Sequence, residues 1–178
     1  MHLGLAGALL SVFYPWLKYH ALGDLDIFLC YSLLPILGTS YVVTGYFCEC
    51  VLWLTVPVGL ITVGILHANN TRDIDHDKRA DIKTFAMLVG RRASAVIYCA
   101  EVIVPFVWVA ALVVAGIFPW WSLLVLVALK PALDNVAKMR TYNSVGFEAI
   151  KGVDEMTAKL QLMFSLLLAL SFFIDKWV

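Results

Sequence analysis

Six apolar stretches, at roughly 2–17, 27–47, 51–68, 94–118, 120–133 and 156–174, alternate with polar connections along the chain. About 20 helical residues cross a bilayer core of about 30 Å. The second and fourth stretches meet that length. The third meets it only if its helix runs on toward Asp73. The fifth requires tilt, extension past Lys130, or flanking residues that snorkel. Lipid offers backbone groups no outside partner, so helices are the predicted elements. The pattern predicts an all-α, multi-pass transmembrane bundle of six helices, a single domain over residues 1–178.

The connections alternate in character as well. The first (18–26), third (69–93) and fifth (about 130–157) are polar, whereas the second (48–50) and fourth (near Pro119) are very short. Every Lys and Arg except Lys176 falls on the odd-numbered side. Positive charge collects on the cytoplasmic side of membrane proteins. The odd connections are therefore predicted to face the cytoplasm, with Trp120, Trp121 and Trp177 at the opposite interface. An integral protein of the cell's inner or plasma membrane is expected, with nucleic acid excluded as a partner.

Composition agrees with this reading. The chain is 62% hydrophobic and 15% charged, with a mean hydropathy of +0.87, against about 45–50% apolar residues in an ordinary soluble domain. Met1 to Pro15 lacks the basic start and small-residue cleavage site of a secretory signal. It reads as a transmembrane helix or the tail of one. Cys30, Cys48, Cys50 and Cys99 give neither a disulfide framework nor a zinc spacing. The pair Cys48-Glu49-Cys50 lacks the remaining ligands of a metal site.

The densest polar run begins where the third apolar stretch ends: Asn69-Asn70-Thr71-Arg72-Asp73-Ile74-Asp75-His76-Asp77-Lys78-Arg79. Charge near hydrocarbon is expensive, so such a cluster points to a function. If the helix continues past Ala68, then Asn69, Asp73, Asp77 and Asp81 share one face. Asp73 and Asp77 are spaced to hold one Mg²⁺ together with water and phosphate oxygens. Asn69 or Asn70 can coordinate or donate to the same group. Arg72, Lys78, Arg79 and Lys83 can neutralise a diphosphate, with Arg suited to bidentate contacts. Arg91-Arg92 can do the same from the far end of the connection. A solvated, salt-bridged loop is the plainer reading.

At these residues the chain resembles a known family. The string Asn69-Asn70-Thr71-Arg72-Asp73 with Asp77, followed by Lys83-Thr84-Phe85-Ala86 and Gly90, is similar to the second aspartate-rich motif of the UbiA superfamily of intramembrane aromatic prenyltransferases. The double Asn and the Arg before Asp73 resemble the branch that prenylates 1,4-dihydroxy-2-naphthoate in menaquinone synthesis. The stretch Leu17-Lys18-Tyr19-His20-Ala21-Leu22-Gly23-Asp24 is similar to a segment upstream in the same branch. The resemblance extends to Thr157-Ala158 at the start of the last apolar stretch.

What the resemblance implies is a fold of nine transmembrane helices around a cavity open to the cytoplasmic face, of which these six look like the last six. It also implies Mg²⁺, a polyprenyl diphosphate donor, an aromatic acceptor, and two aspartate-rich motifs facing each other. Nothing before Asp73 fits the first motif. Either the chain is an N-terminally truncated product, or half of the metal site has been lost. The alternative to an enzyme is then a non-catalytic membrane protein that binds an isoprenoid lipid or a partner subunit. Asp81 also departs from the family, which usually has Gly there.

Other polar residues have two readings each. Glu101, deep in the fourth stretch, is a functional acid or the partner of another polar group in the bundle. His67 either touches the site or is a hydrogen-bonded structural residue, and His76 reads as solvated and turned away from Asp73 and Asp77. Asp134, Asn135 and Lys138 either help to hold the aromatic acceptor or cap the cavity, or are ordinary helix-end residues, and Asp154-Glu155 read as N-terminal helix charge.

Overall fold

The computed structural model describes residues 2–48 and 51–178. Glu49 and Cys50 of the Cys-x-Cys sequence lie outside the described residues. Among the described residues nine α-helices follow one another: α1 (His2–Tyr19), α2 (Gly23–Phe28), α3 (Leu34–Thr44), α4 (Leu52–Arg72), α5 (Ile74–Arg79), α6 (Phe85–Val114), α7 (Leu129–Arg140), α8 (Tyr142–Val145) and α9 (Val153–Trp177). A π-type turn over Leu29–Leu33 fuses α2 to α3, and a 3₁₀ segment over Trp120–Ala128 leads into α7. The architecture is all-α, as the apolar pattern predicts.

Five of the six predicted spans are long and apolar enough to cross a membrane: Gly23–Thr44, Leu52–Arg72, Phe85–Val114, Trp120–Arg140 and Glu148–Trp177. The first apolar stretch forms α1, which does not reach that standard. The third stretch runs on to Arg72, because Asn69, Asn70 and Thr71 continue the helix instead of capping it. The fifth reaches membrane length by extension through Lys130 to Arg140.

The connection expected over 69–93 is mostly helical. Only Asp73, between α4 and α5, and residues 80–84, between α5 and α6, lie outside helices there. The single face expected through Asp81 is also interrupted. Asp73 leaves helical geometry at the end of α4 (φ −94°, ψ 8°), and Asp81 adopts φ +55°. The left-handed turn at Asp81 sends the chain back toward α6.

Helix α4 is the hub and packs on α2, α6 and α9. Between transmembrane helices the hydrophobic drive is weak, so close packing and hydrogen bonds hold the bundle. Gly59 shows the first of these. A Cβ there would lie 2.4 Å from Phe28 Cε2 and 3.0 Å from Ser32 Oγ, so only glycine lets α2 approach α4 so closely. Ser32 then donates to the Thr55 carbonyl at 2.8 Å across the same contact. On the other side Ile61, Tyr98, Val102, Phe106, Leu160 and Phe164 form the centre of the core. Phe106 and Phe164 meet edge to face at 5.2 Å, a favourable aromatic geometry. Within α6, Gly90 has φ +79° and ψ 163° and breaks the helix one turn after its start.

The three polar connections meet at one end of the bundle. The Ala21 amide donates to the Lys83 carbonyl at 3.1 Å, joining the first to the third. Arg72 reaches Asp154 at 2.8 Å, joining the third to the fifth. Tyr142 donates from its hydroxyl to the Thr71 carbonyl at 3.0 Å, which fastens α8 to the end of α4.

Candidate functional site

The helical hydrogen bonding of α4 continues across Asp73, whose own amide donates to the Asn69 carbonyl at 3.0 Å and whose carbonyl accepts from the Asp77 amide at 2.8 Å. Asp73 and Asp77 therefore remain one turn apart, as their spacing predicts. Their environments differ. Asp73 is half-buried and held by Arg72, whose Nε and Nη2 reach its two carboxylate oxygens at 2.8 and 2.9 Å. Asp77 is buried, 8% exposed. Burial pushes its carboxyl above the usual carboxylate range and the Asp73 charge adds to this, while Lys18 and His76 oppose it.

Arg72 organises this end of the molecule. Besides Asp73 it reaches Asp154 through Nη1 at 2.8 Å and Asn69 Oδ1 through Nη2. Such fork-like, charge-assisted bonds are the strong class of hydrogen bond. Two cavities flank it. One, of about 700 Å³, is lined by Arg72, Asp73, Asp75, His76 and Arg79. The other, of about 370 Å³, is mainly apolar, with Ile27, Tyr31, Thr62 and Leu66 below Asn69 and Asp154. A charged recess thus adjoins an apolar one, with one guanidinium touching residues of both.

The predicted site residues divide between these surroundings. Asn69, Arg72 and Asp73 stand together at the cavities. Asn70 does not join them: it is buried on the other side of α4, where its amide donates to Asp24 Oδ1 at 3.4 Å. The reason is helical geometry, since adjacent residues point about 100° apart. Lys78 and Lys83 are exposed and line neither cavity, whereas Arg79 lines the charged one. His76 is exposed as expected but lines the cavity with Asp73 instead of facing away. Arg91 is committed to Asp75, contacting both carboxylate oxygens through Nη2.

Two further placements were not legible beforehand. Asp154 does more than carry charge at a helix start, because it pairs with Arg72. Its signal, an acid in the last polar connection, is too common to single out. His67 and Glu101 converge with Asp24 in a buried cluster: His67 Nδ1 lies 2.8 Å from Asp24 Oδ2 and 3.5 Å from Glu101 Oε1. The fifth connection is structural, with Lys130 paired to Asp134 at 2.9 Å, Asn135 buried against Thr157 at 3.4 Å, and Lys138 donating to the Lys151 carbonyl at 2.7 Å.

Comparison with known proteins identifies the family. Residues 1–143 match the model of the UbiA prenyltransferase family. The UbiA prenyltransferase domain-containing protein 1 homolog of Drosophila melanogaster is 35% identical over 84% of this chain and 40% of its own length. UbiA prenyltransferase domain-containing protein 1 of Danio rerio is 44% identical over 51% of the chain and 27% of its own length, and that of Homo sapiens 28% identical over 92% and 46%. The chain spans less than half the length of these relatives. No solved structure matches it. The relatives are named for the domain, and the finer resemblance to the dihydroxynaphthoate branch rests on the motif residues alone. A family match over most of the chain, together with five apolar helices long enough to span a membrane, establishes that this chain belongs to the UbiA prenyltransferase family.

Proposed function

We propose that the chain supplies the diphosphate-handling part of a Mg²⁺-dependent prenyltransferase that moves a polyprenyl group onto an aromatic acceptor, 1,4-dihydroxy-2-naphthoate, on the cytoplasmic face of the membrane. The observation that carries this reading is the charged recess beside the apolar one, bridged by Arg72. A prenyl diphosphate has the same two-part chemistry, an anionic head on an isoprenoid tail. Arg72 and Arg79 would meet the diphosphate oxygens, and Ile27, Tyr31 and Leu66 the tail.

The residues fit a hard dication. Asp73 and Asp77 offer carboxylate oxygens one turn apart, and Mg²⁺ needs only one or two of these when phosphate and water complete its shell. The buried Asp77 carboxyl, disfavoured as an anion by its surroundings, is the kind of group a cation would stabilise. Bound Mg²⁺ would supply charge to offset the negative charge that grows on the leaving diphosphate as the allylic C–O bond breaks. Asp73 and Asp77 would hold it. Arg72 exchanges carboxylate for phosphate partners and presents a fixed positive charge to the same leaving group. Asn69, hydrogen-bonded to Arg72, keeps that guanidinium aimed at the junction of the two recesses. The acceptor ring then attacks the allylic carbon at the position bearing the carboxylate, which leaves as CO₂.

The test is a chimera in which this chain replaces the matching part of the Drosophila relative, assayed in membranes with dihydroxynaphthoate, a polyprenyl diphosphate and Mg²⁺. Prenylated product that disappears in Asp73→Ala and Asp77→Ala supports the reading. Wild-type turnover in either variant removes the metal role. Saturable binding of the diphosphate with no product from any acceptor would support the non-catalytic lipid-binding role instead.

A further inference from the structure

The cluster of Asp24, His67 and Glu101 lies apart from the two recesses, inside the bundle, where α2, α4 and α6 meet. One ligand atom from each of the three residues lies within 4.8 Å of the others. His67 is fully buried, and Glu101 is 8% exposed with its Oε2 buried and without a hydrogen-bond partner. An unpartnered carboxylate oxygen in such a place is costly.

The hydroxyls behind His67 fix where its protons are. Thr71 donates its only hydroxyl hydrogen to the His67 carbonyl at 2.7 Å. In the contact between Thr71 and Ser94 the hydrogen must therefore come from Ser94. Ser94, its hydrogen spent, can only accept from His67 Nε2, 2.9 Å away. Nε2 thus carries a hydrogen, and Nδ1 faces two carboxylates. Neutral imidazole would then aim a bare lone pair at Asp24 Oδ2, 2.8 Å off. A proton shared between the two, or a metal ion, has to reconcile them. A proton on Nδ1 satisfies that contact, and a second proton on Glu101 would balance the charge, but Glu101 Oε2 still lacks a hydrogen-bond partner. A dication beside this contact, with Nδ1 and Asp24 Oδ2 opened to the roughly 3.3 Å that tetrahedral bonds of about 2.0–2.1 Å require, balances both carboxylates, uses the Nδ1 lone pair and gives Glu101 its missing partner.

We infer that Asp24, His67 and Glu101 form a second metal site that takes a borderline transition dication of the zinc type and joins three helices. One imidazole nitrogen and two carboxylates suit Zn²⁺ better than Mg²⁺ or Ca²⁺, which favour all-oxygen shells. Ser94 is the orienting partner on the far ring nitrogen, as metal-bound histidines usually have. Asn70, donating to the other Asp24 oxygen, holds that carboxylate in turn. Asp24 remains partly accessible, its side chain 13% exposed, which provides a way in.

The chain is purified in detergent, stripped of metal with a chelator and titrated with Co²⁺ as a spectroscopic stand-in for Zn²⁺. One Co²⁺ per chain is expected, with the intense visible bands of four-coordination. Zn²⁺ should displace it, and a large excess of Mg²⁺ should not. Glu101→Gln and Asp24→Asn should each weaken binding at least tenfold, while a double Asp73→Asn, Asp77→Asn variant keeps it. Absence of Zn²⁺-displaceable Co²⁺, weak bands of an all-oxygen six-coordinate ion, or wild-type affinity in Glu101→Gln would overturn the site. If Glu101→Gln does not fold, the wild-type spectrum and Asp24→Asn decide. Metal-free wild type showing a doubly protonated His67 by ¹⁵N NMR, unchanged by Zn²⁺, would assign the position to a proton instead.

Discussion

Two polar clusters, centred on His67 and Arg72 little more than one turn apart on α4, are built on opposite principles. Around Arg72 the charges are half-exposed, mutually paired and redundant: one guanidinium holds Asp73, Asp154 and Asn69, and a second, Arg91, holds Asp75. Around His67 the charges are buried and share a single positive position. Water screens the first cluster, so its pairs can open and re-form around a substrate at small cost. The second is largely shielded from water, so each missing partner is expensive. Exposure therefore suits the first cluster to ligand exchange and the second to permanence.

The largest effect that would test this contrast is on activity. In the chimera described above, Asp73→Ala is expected to lower prenyl transfer by on the order of 100-fold or more, the scale of lost stabilisation of developing charge, with thermal stability little changed. A large drop in stability with unchanged turnover would reverse the roles assigned to the two clusters. In the buried cluster the expected loss is structural. His67→Leu leaves Asp24 and Glu101 facing each other without a cation, and should cost about 3–5 kcal/mol of stability, read as a lower midpoint in thermal melting in detergent. A melting curve that overlays the wild type would show those carboxyls to be neutral.

A smaller effect concerns pH at the border between the two environments. Burial raises the Asp77 carboxyl in the folded state, so folding favours its protonated form. Stability from this group is gained as pH falls through the raised value and is fully present below the ordinary carboxylate pKa; above the raised value the anion is a cost. Asp77→Asn should accordingly be the more stable protein at neutral pH without ligand, and its advantage should shrink on acidification. Melting curves of the two proteins across that window check it, and an advantage that grows toward acid would contradict the direction. The smallest effect belongs to the exposed pair: Arg91→Ala should change stability by less than about 1 kcal/mol and leave His67→Leu as damaging as before. Non-additivity between them would mean the two clusters are coupled.

Much of the fold was readable from periodic apolar stretches, because lipid permits few alternatives to helices. Segment lengths alone left the third and fifth open, and both proved long through residues that composition would have placed in loops, Asn69–Arg72 and Lys130–Arg140. The Asn-Asn-Thr-Arg-Asp motif announced Asp73 and Arg72, since spacing along one helix turn is local information. It could not show that Asn70 turns away from Asn69, that Lys78 and Lys83 stay in solvent, or that Asp154 comes back to Arg72 from far along the chain. Glu101 and His67 were each visible as anomalies in apolar surroundings. Their meeting with Asp24 was not, because residues 24, 67 and 101 belong to three separate helices.

What the sequence determined by itself was therefore the helical membrane bundle, the family, and the placement of acids and cations at one end: each follows from short-range patterns and from the high cost of exposing backbone and charge to hydrocarbon. Tertiary structure decided which of those charges are used up by each other. Only when Gly59 lets α2 close on α4, and α6 and α9 pack around them, do Asp24, Glu101 and Asp154 acquire their partners. Ion pairing and desolvation depend on distances of a few ångströms between helices, and no local pattern encodes them.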